Sequence, residues 1–176
     1  MNKKILIFLI LFLSVIPLKN HNVNALYDNI EIKHVFKVNS KIVKTIENNV
    51  EKKTETTYPV IIVNNRSMVE AYFFIHLESK KISMGATYVS ETKDIIYTFE
   101  DEESNVLEID VFTVKNQCKA YYNGNEVTID TVPFQPRGKE IMIAVSSLVL
   151  PIRFIYETFG YTVEWISDTQ EIIVYK

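Results

Sequence analysis

The chain reads as an α+β protein: antiparallel β-sheet units, each packed with a short helix, in two pseudo-repeats that share one core. Three observations carry that reading. Short stretches alternate apolar and polar residues at period two, as Leu107, Ile109 and Val111 do against Glu108 and Asp110, the pattern of a strand with one buried face. One segment near the C-terminus has helical spacing, with a proline at its start and a glycine at its end. Finally, residues 88–96 align with 165–173 at an offset of seventy-seven, every pair identical or similar except Lys93 against Gln170.

Taken in order, Lys3 and Lys4 precede an apolar run over residues 5–16, broken only by Ser14, and Pro17 ends it. Val23-Asn24-Ala25 then offers a small-residue cleavage site, so residues 1–25 read as a secretory signal peptide. The run falls short of the roughly 20 apolar residues of a membrane span. No span is expected after cleavage, and the chain is expected outside the cytoplasm. Residues 26–55 read as an N-terminal strand, with alternation at Ile30-Glu31-Ile32 and Val35-Phe36-Lys37-Val38, and a looser charged extension around 47–55. The apolar run 58–63, with Pro59 near its start, suits an edge strand, and Asn64-Asn65 a turn.

Residues 71–81 are apolar on one side with Lys80 and Lys81 late, which predicts a short helix. Residues 88–89 and 95–99 read as strands joined through 90–94, and the acidic run 100–105 as a turn between strands. Asn123-Gly124 between strand formers predicts a type I′ hairpin, because both central residues need positive φ. Residues 140–145 are again strand-like. Pro151 suits a helix start; Ile152, Ile155, Tyr156 and Phe159 fall at i, i+3, i+4 and i+7; Gly160 suits the left-handed cap. Val163 and Trp165 share one face of the following strand, and residues 172–174 form the last. The two pseudo-repeats run over about 30–99 and 107–176. Upstream of the 88–96 match, Phe74-Ile75 aligns with Phe154-Ile155, and residues 36–43 more loosely with 121–127.

Charge excludes some functions. Without Lys3, Lys4 and Lys19, sixteen of the nineteen basic residues remain against twenty-two acidic ones, a net charge of about −6 with three arginines in all. Nucleic-acid binding and docking on anionic lipid both need a positive face. Cys118 is the only cysteine, which forbids an internal disulfide and favours a buried small apolar role over pairing between chains.

The chemistry-bearing residues make no catalytic pattern. His34, His76 and Cys118 are the candidate ligands of a metal-binding alternative, but they lack ligand spacing. The acidic run 100–103 lacks the alternating ligands and glycine of a calcium loop, and Ser146-Ser147 lacks the glycines of a nucleophile elbow. Pro136-Arg137-Gly138-Lys139 has the wrong spacing for a phosphate loop. Glu157 is placed to pair with Arg153 one helical turn away. Tyr121, Tyr122, Tyr156 and Tyr161 are candidate ligand-binding aromatics, a stacking platform for sugars, weighed against packing on a sheet face.

Residues 122–127, Tyr-Asn-Gly-Asn-Glu-Val, and residues 150–165, Leu-Pro-Ile-Arg-Phe-Ile-Tyr-Glu-Thr-Phe-Gly-Tyr-Thr-Val-Glu-Trp, resemble the copper amine oxidase N-terminal-like domain, or stalk domain. In the first unit Asn64-Asn65-Arg66-Ser67-Met68-Val69 stands where the family has N-G-R-T-x-V. The resemblance is close over 118–176, moderate over 56–100 and faint before. It implies a family domain over 56–176, an antiparallel sheet wrapped against a helix, and a non-catalytic role in exported proteins of Gram-positive type. It implies motif positions of structural use at Asn123, Gly124, Pro151, Arg153, Phe154, Glu157, Gly160 and Trp165. In the oxidases, copper and the cofactor tyrosine belong to a separate larger domain, so no cofactor is expected. The first unit departs from the family at Ala71-Tyr72-Phe73-Phe74, where P-x-R-F would stand, and the second by extra residues around 141–147. The expectation is a non-enzymatic, secreted cell-envelope module that binds or spaces, with cell-wall polymer or another surface protein as partner. A protein-interaction scaffold is the alternative, and would show an uncapped edge strand or an exposed Cys118.

Overall fold

The computed structural model describes residues 32–77, 81–133 and 148–176. The signal-like segment, the strand expected over 140–145 and the motifs at 136–139 and 146–147 lie outside them. In chain order, β1 (Ile32–Lys37), β2 (Ile42–Glu47) and β3 (Val50–Glu55) form a meander. The hairpin of β4 (Ile61–Val63) and β5 (Arg66–Glu70) runs straight into helix α1 (Ala71–Ile75), and the hairpin of β6 (Ile82–Val89) and β7 (Asp94–Asp101) follows. A second meander comprises β8 (Val106–Phe112), β9 (Gln117–Tyr122) and β10 (Asn125–Val127). Strand β11 (Val149–Pro151) runs straight into α2 (Ile152–Thr158), and β12 (Thr162–Ile166) and β13 (Glu171–Tyr175) close the chain as a hairpin.

The described strands make three antiparallel sheets. The first five-stranded sheet has the order β12-β13-β1-β2-β3, the second β6-β7-β8-β9-β10, and a small sheet the order β11-β5-β4. Each large sheet thus joins a meander from one half of the chain to a hairpin from the other. The stretch 26–55, set apart by composition, enters the first sheet over its described part. Strand β1 lies between β13 and β2, and the charged residues read as loose form β3 at the sheet's edge.

Local chemistry accounts for the turns. Asn48 and Asn49 both have positive φ (49° and 62°), as do Asn64 and Asn65 (49° and 61°) and Asn123 and Gly124 (48° and 78°). These are the paired left-handed conformations of a two-residue hairpin, which asparagine and glycine tolerate best. The Asn48-Asn49 turn of the first meander stands where Asn123-Gly124 stands in the second. The one dissimilar pair of the sequence match, Lys93 and Gln170, takes positive φ in both hairpins (61° and 55°).

Helix α2 follows its sequence closely. Ile152, Ile155, Tyr156 and Phe159 are buried, and burial of each such side chain stabilises by about 1.5–3 kcal/mol. Pro151 is the residue before the helix, extended at ψ 112°, one position earlier than the spacing predicts. At the other end Gly160 (φ 76°) donates to the Glu157 carbonyl at 3.0 Å and Tyr161 to that of Tyr156 at 3.1 Å. With the Tyr156 and Tyr161 rings 5.3 Å apart, this is a complete Schellman cap. Helix α1 is shorter than the sequence predicts. It ends at Ile75, and Lys81 belongs to the approach to β6, so no cation closes it. Its start at Ala71, against Ile152 for α2, sets Phe74 opposite Ile155, one residue from the alignment of 74–75 with 154–155. One hydrophobic cluster takes side chains from both large sheets and both helices.

Candidate functional site

The structure separates the four candidate tyrosines. Tyr156 is fully buried and Tyr161 nearly so. Both belong to the core, a correction to their reading as a surface platform: Tyr156 sits on the inward face of α2, and Tyr161 is the hydrophobic partner in its cap. Among the described residues the Tyr156 hydroxyl has no hydrogen-bond partner, and burial holds it well above the ordinary tyrosine range. Tyr121 and Tyr122 are half-buried on β9, and the ring of Tyr122 meets Phe159 edge-on at 6.0 Å.

The metal alternative meets a similar correction. His34 is buried on β1, where its Nδ1 lies 2.9 Å from Thr45 Oγ1 and its ring packs against Phe36, Phe73 and Tyr156. Burial pushes its pKa down to about 3. His76 is exposed at the end of α1, stacked on Tyr72 at 3.9 Å. Cys118 is half-buried on β9, its thiol pKa raised by burial. Among the described residues no three His, Cys, Asp or Glu side chains are grouped to hold a metal ion, so the donor set does not fit copper. In the acidic turn, Asp101 accepts from the backbone N–H groups of Glu103 (3.0 Å) and Asn105 (2.8 Å) and from the Asn105 amide. That carboxylate closes the β7–β8 turn. Asn123 ties the neighbouring hairpin to it: its Oδ1 accepts from the Val106 N–H at 2.8 Å, and its Nδ2 donates to Asn105 Oδ1.

The remaining motif residues gather on one outer surface. Residues 153 and 157 lie on the face of α2 opposite its buried stripe, and Arg153 and Glu157 pair there at 2.8 Å, as the spacing predicts. Phe154 and Pro151 line the same hollow, which Arg66 and Ser67 of β5 and Asp130 beyond β10 complete at about 360 Å³. Arg66 grips Asp130 through two guanidinium nitrogens, Nε at 2.7 Å, and its hydrogen bond holds that carboxyl below the usual carboxylate range. A second hollow of about 260 Å³ shares Arg66, Ser67 and Arg153 and adds Ile62, Trp165 and Ile172. Trp165 shares the inward face of Val163 but stands at the rim of edge strand β12, 45% exposed.

The sequence named Trp165 and Arg153 for structure and the tyrosines for binding; of Trp165 and those four tyrosines, the exposed one is the tryptophan. Arg66 carried a signal, its place in the N-N-R stretch. Asp130 carried none, because its partner is sixty-four residues away in sequence. A larger groove of about 610 Å³ lies between β2–β3 and the end of α1, lined by mixed charges and by Tyr72 and His76.

Among the described residues no helix is long and apolar enough to cross a membrane. No curated protein and no solved structure matches the chain. The family model described as the copper amine oxidase N-terminal domain matches residues 83–174, more than half of the chain, from within β6 to within β13. By that match, and by the motif residues that converge on the α2 surface, the chain belongs to the copper amine oxidase N-terminal domain family.

Proposed function

We propose that the chain is a non-catalytic, exported module that binds at the cell envelope, with a secondary role as a spacer. The observation that carries this reading is the α2 surface. Five motif residues, Pro151, Arg153, Phe154, Glu157 and Trp165, line adjoining hollows there, and the largest of them is left open to solvent. An exposed indole beside charged, hydrogen-bonding side chains is the composition of a binding surface. Export is supported by the n-region, apolar run and cleavage site of residues 1–25.

Duplication supplies the scaffold in this reading, with about 30–99 and 107–176 as pseudo-repeats that exchange their hairpins. In its support, the two large sheets have the same strand order, and the turns at Lys93 and Gln170 share one backbone conformation. For the scaffold alternative, a partner strand added to an open edge, the lysines along β3 oppose addition there, whereas edge strand β6 carries no charged residue and leaves that reading open.

Co-sedimentation with isolated Gram-positive cell-wall sacculi tests the proposal, using the chain from Leu26, which keeps every described residue. Binding that survives teichoic acid removal and is lost in Trp165→Ala is the expected result. A protein that stays wholly in the supernatant overturns wall binding and leaves a protein partner as the next reading.

A further inference from the structure

We infer that the Trp165 groove takes an uncharged, hydroxyl-rich saccharide strand and not an anionic polymer; the inference rests on the envelope-binding reading above. Three features of the groove lead there. Its floor is apolar and open: Trp165 and Ile62 are each 45% exposed and line the same hollow. A flat aromatic face suits the C–H face of a sugar ring, and a large apolar group left exposed within a polar rim marks a contact site.

Charge decides the class of ligand. Each arginine has its own carboxylate, Arg66 with Asp130 and Arg153 with Glu157, so these four side chains sum to zero. A polyanion would have to displace two carboxylates and then face them, within a chain that is itself acidic. A sugar hydroxyl meets no such conflict. It accepts from a guanidinium N–H and donates to the neighbouring carboxylate while the ion pair stays intact. Size agrees: the adjoining hollows, about 260 and 360 Å³, together fall in the roughly 300–1,000 Å³ range of small-ligand sites.

Trp165 is the only tryptophan, so its emission reports this groove alone. The chain from Leu26 is titrated with uncharged N-acetylglucosamine oligomers and, separately, with glycerol-phosphate polymer, each at low and high salt. The expected result is a saturable emission change with the oligomers, insensitive to salt and about tenfold weaker in Arg153→Gln and in Glu157→Gln, as loss of a hydrogen bond to a charged group implies. The melting temperatures of these variants should stay close to that of the parent, since both positions are exposed. A response to the glycerol-phosphate polymer alone, falling steeply with salt, overturns the saccharide class and leaves wall binding standing. Sacculus binding without an emission change from either probe overturns the groove while the envelope reading survives. An oligomer response without sacculus binding supports the groove and removes the wall as its source of ligand. Silence in both assays overturns both.

Discussion

The two five-stranded sheets run through the same order of strands, and their registers superpose almost residue for residue. Val174 of β13 pairs with His34, whereas Tyr97, seventy-seven positions earlier in β7, pairs with Ile109. His34 in turn opposes Thr45, and Ile109 opposes Ala120. A buried, hydrogen-bonded polar pair in one sheet thus stands where the other has two apolar side chains. At the rim the hairpins place Trp165 against Tyr88, both 45% exposed. The helices differ on their outer faces: Arg153 and Glu157 form an ion pair on α2, whereas Tyr72 and His76 stack on α1. The sheets share their backbone plan, and their chemistry diverges wherever a side chain is not needed to hold that plan.

The largest expected effect tests whether the halves are independent. Phe74 and Ile155 hold matched buried positions on α1 and α2 within one hydrophobic cluster. Truncation to alanine should cost about 3–5 kcal/mol for Phe74 and about 2–5 kcal/mol for Ile155. Because each large sheet contains strands from both halves of the chain, each variant should lower one common urea midpoint. Two separated transitions in either variant would break the picture of a shared core.

The His34–Thr45 pair sharpens the comparison next. The pKa of His34 in the folded chain is depressed from the ordinary 6.5 to about 3, so the unfolded chain binds more protons between those values. Stability is therefore intact above pH 6.5 and lost as pH falls toward 3, by roughly 3 kcal/mol between pH 7 and pH 4. Replacing the pair by the residues of the other sheet, His34→Ile with Thr45→Ala, should leave stability at neutral pH within about 1 kcal/mol, since both polar partners go together. The pH dependence in this range should flatten. Urea unfolding at pH 7 and pH 4 reads both, and an unchanged acid slope in the double variant would assign it to other groups.

How much of this was legible in advance follows from which interactions are local. Helix α2 has its apolar stripe and its capping glycine within nine residues, and the Asn123-Gly124 and Asn64-Asn65 turns are set by two residues each; all three were readable. Helix α1 is shorter than its apolar run suggests: it ends at Ile75, and Lys81, read as a closing cation, directly precedes β6. The charged strand β3 looked loose because both its faces are solvated, so no alternation marks it. Tyr156 already stood on the predicted apolar stripe of α2, which argues against its place in a surface platform; Tyr161 could not be told from a surface tyrosine, since the inward position of its ring depends on what packs over it. The Arg66–Asp130 pair is invisible in sequence for the same reason.

A smaller effect separates the helix ends. Gly160 caps α2 at φ 76°, and a Cβ there meets nothing within 4 Å, so Gly160→Ala tests backbone conformation without a steric clash. It should cost about 1 kcal/mol. Helix α1 ends at His76 with φ −102°, so His76→Gly should bring no comparable gain. Thermal melts of the two variants check the pair.

The smallest effect distinguishes the two outer faces by their physics. Arg153–Glu157 is an exposed i,i+4 ion pair, for which a double-mutant cycle should give about 0.3–0.5 kcal/mol, shrinking as salt rises. Tyr72–His76, at the same spacing on α1, is a ring contact at 3.9 Å, and its coupling should be about 0.5 kcal/mol or more. That coupling comes from ring packing, so it should respond to salt less than the ion pair does. Cycles run in low and high salt should therefore diverge: α2 loses its coupling and α1 keeps it. Equal salt sensitivity would break the distinction between a ring contact and an ion pair. In that case the outer faces of the two helices, although built from different residues, would both be held by electrostatics.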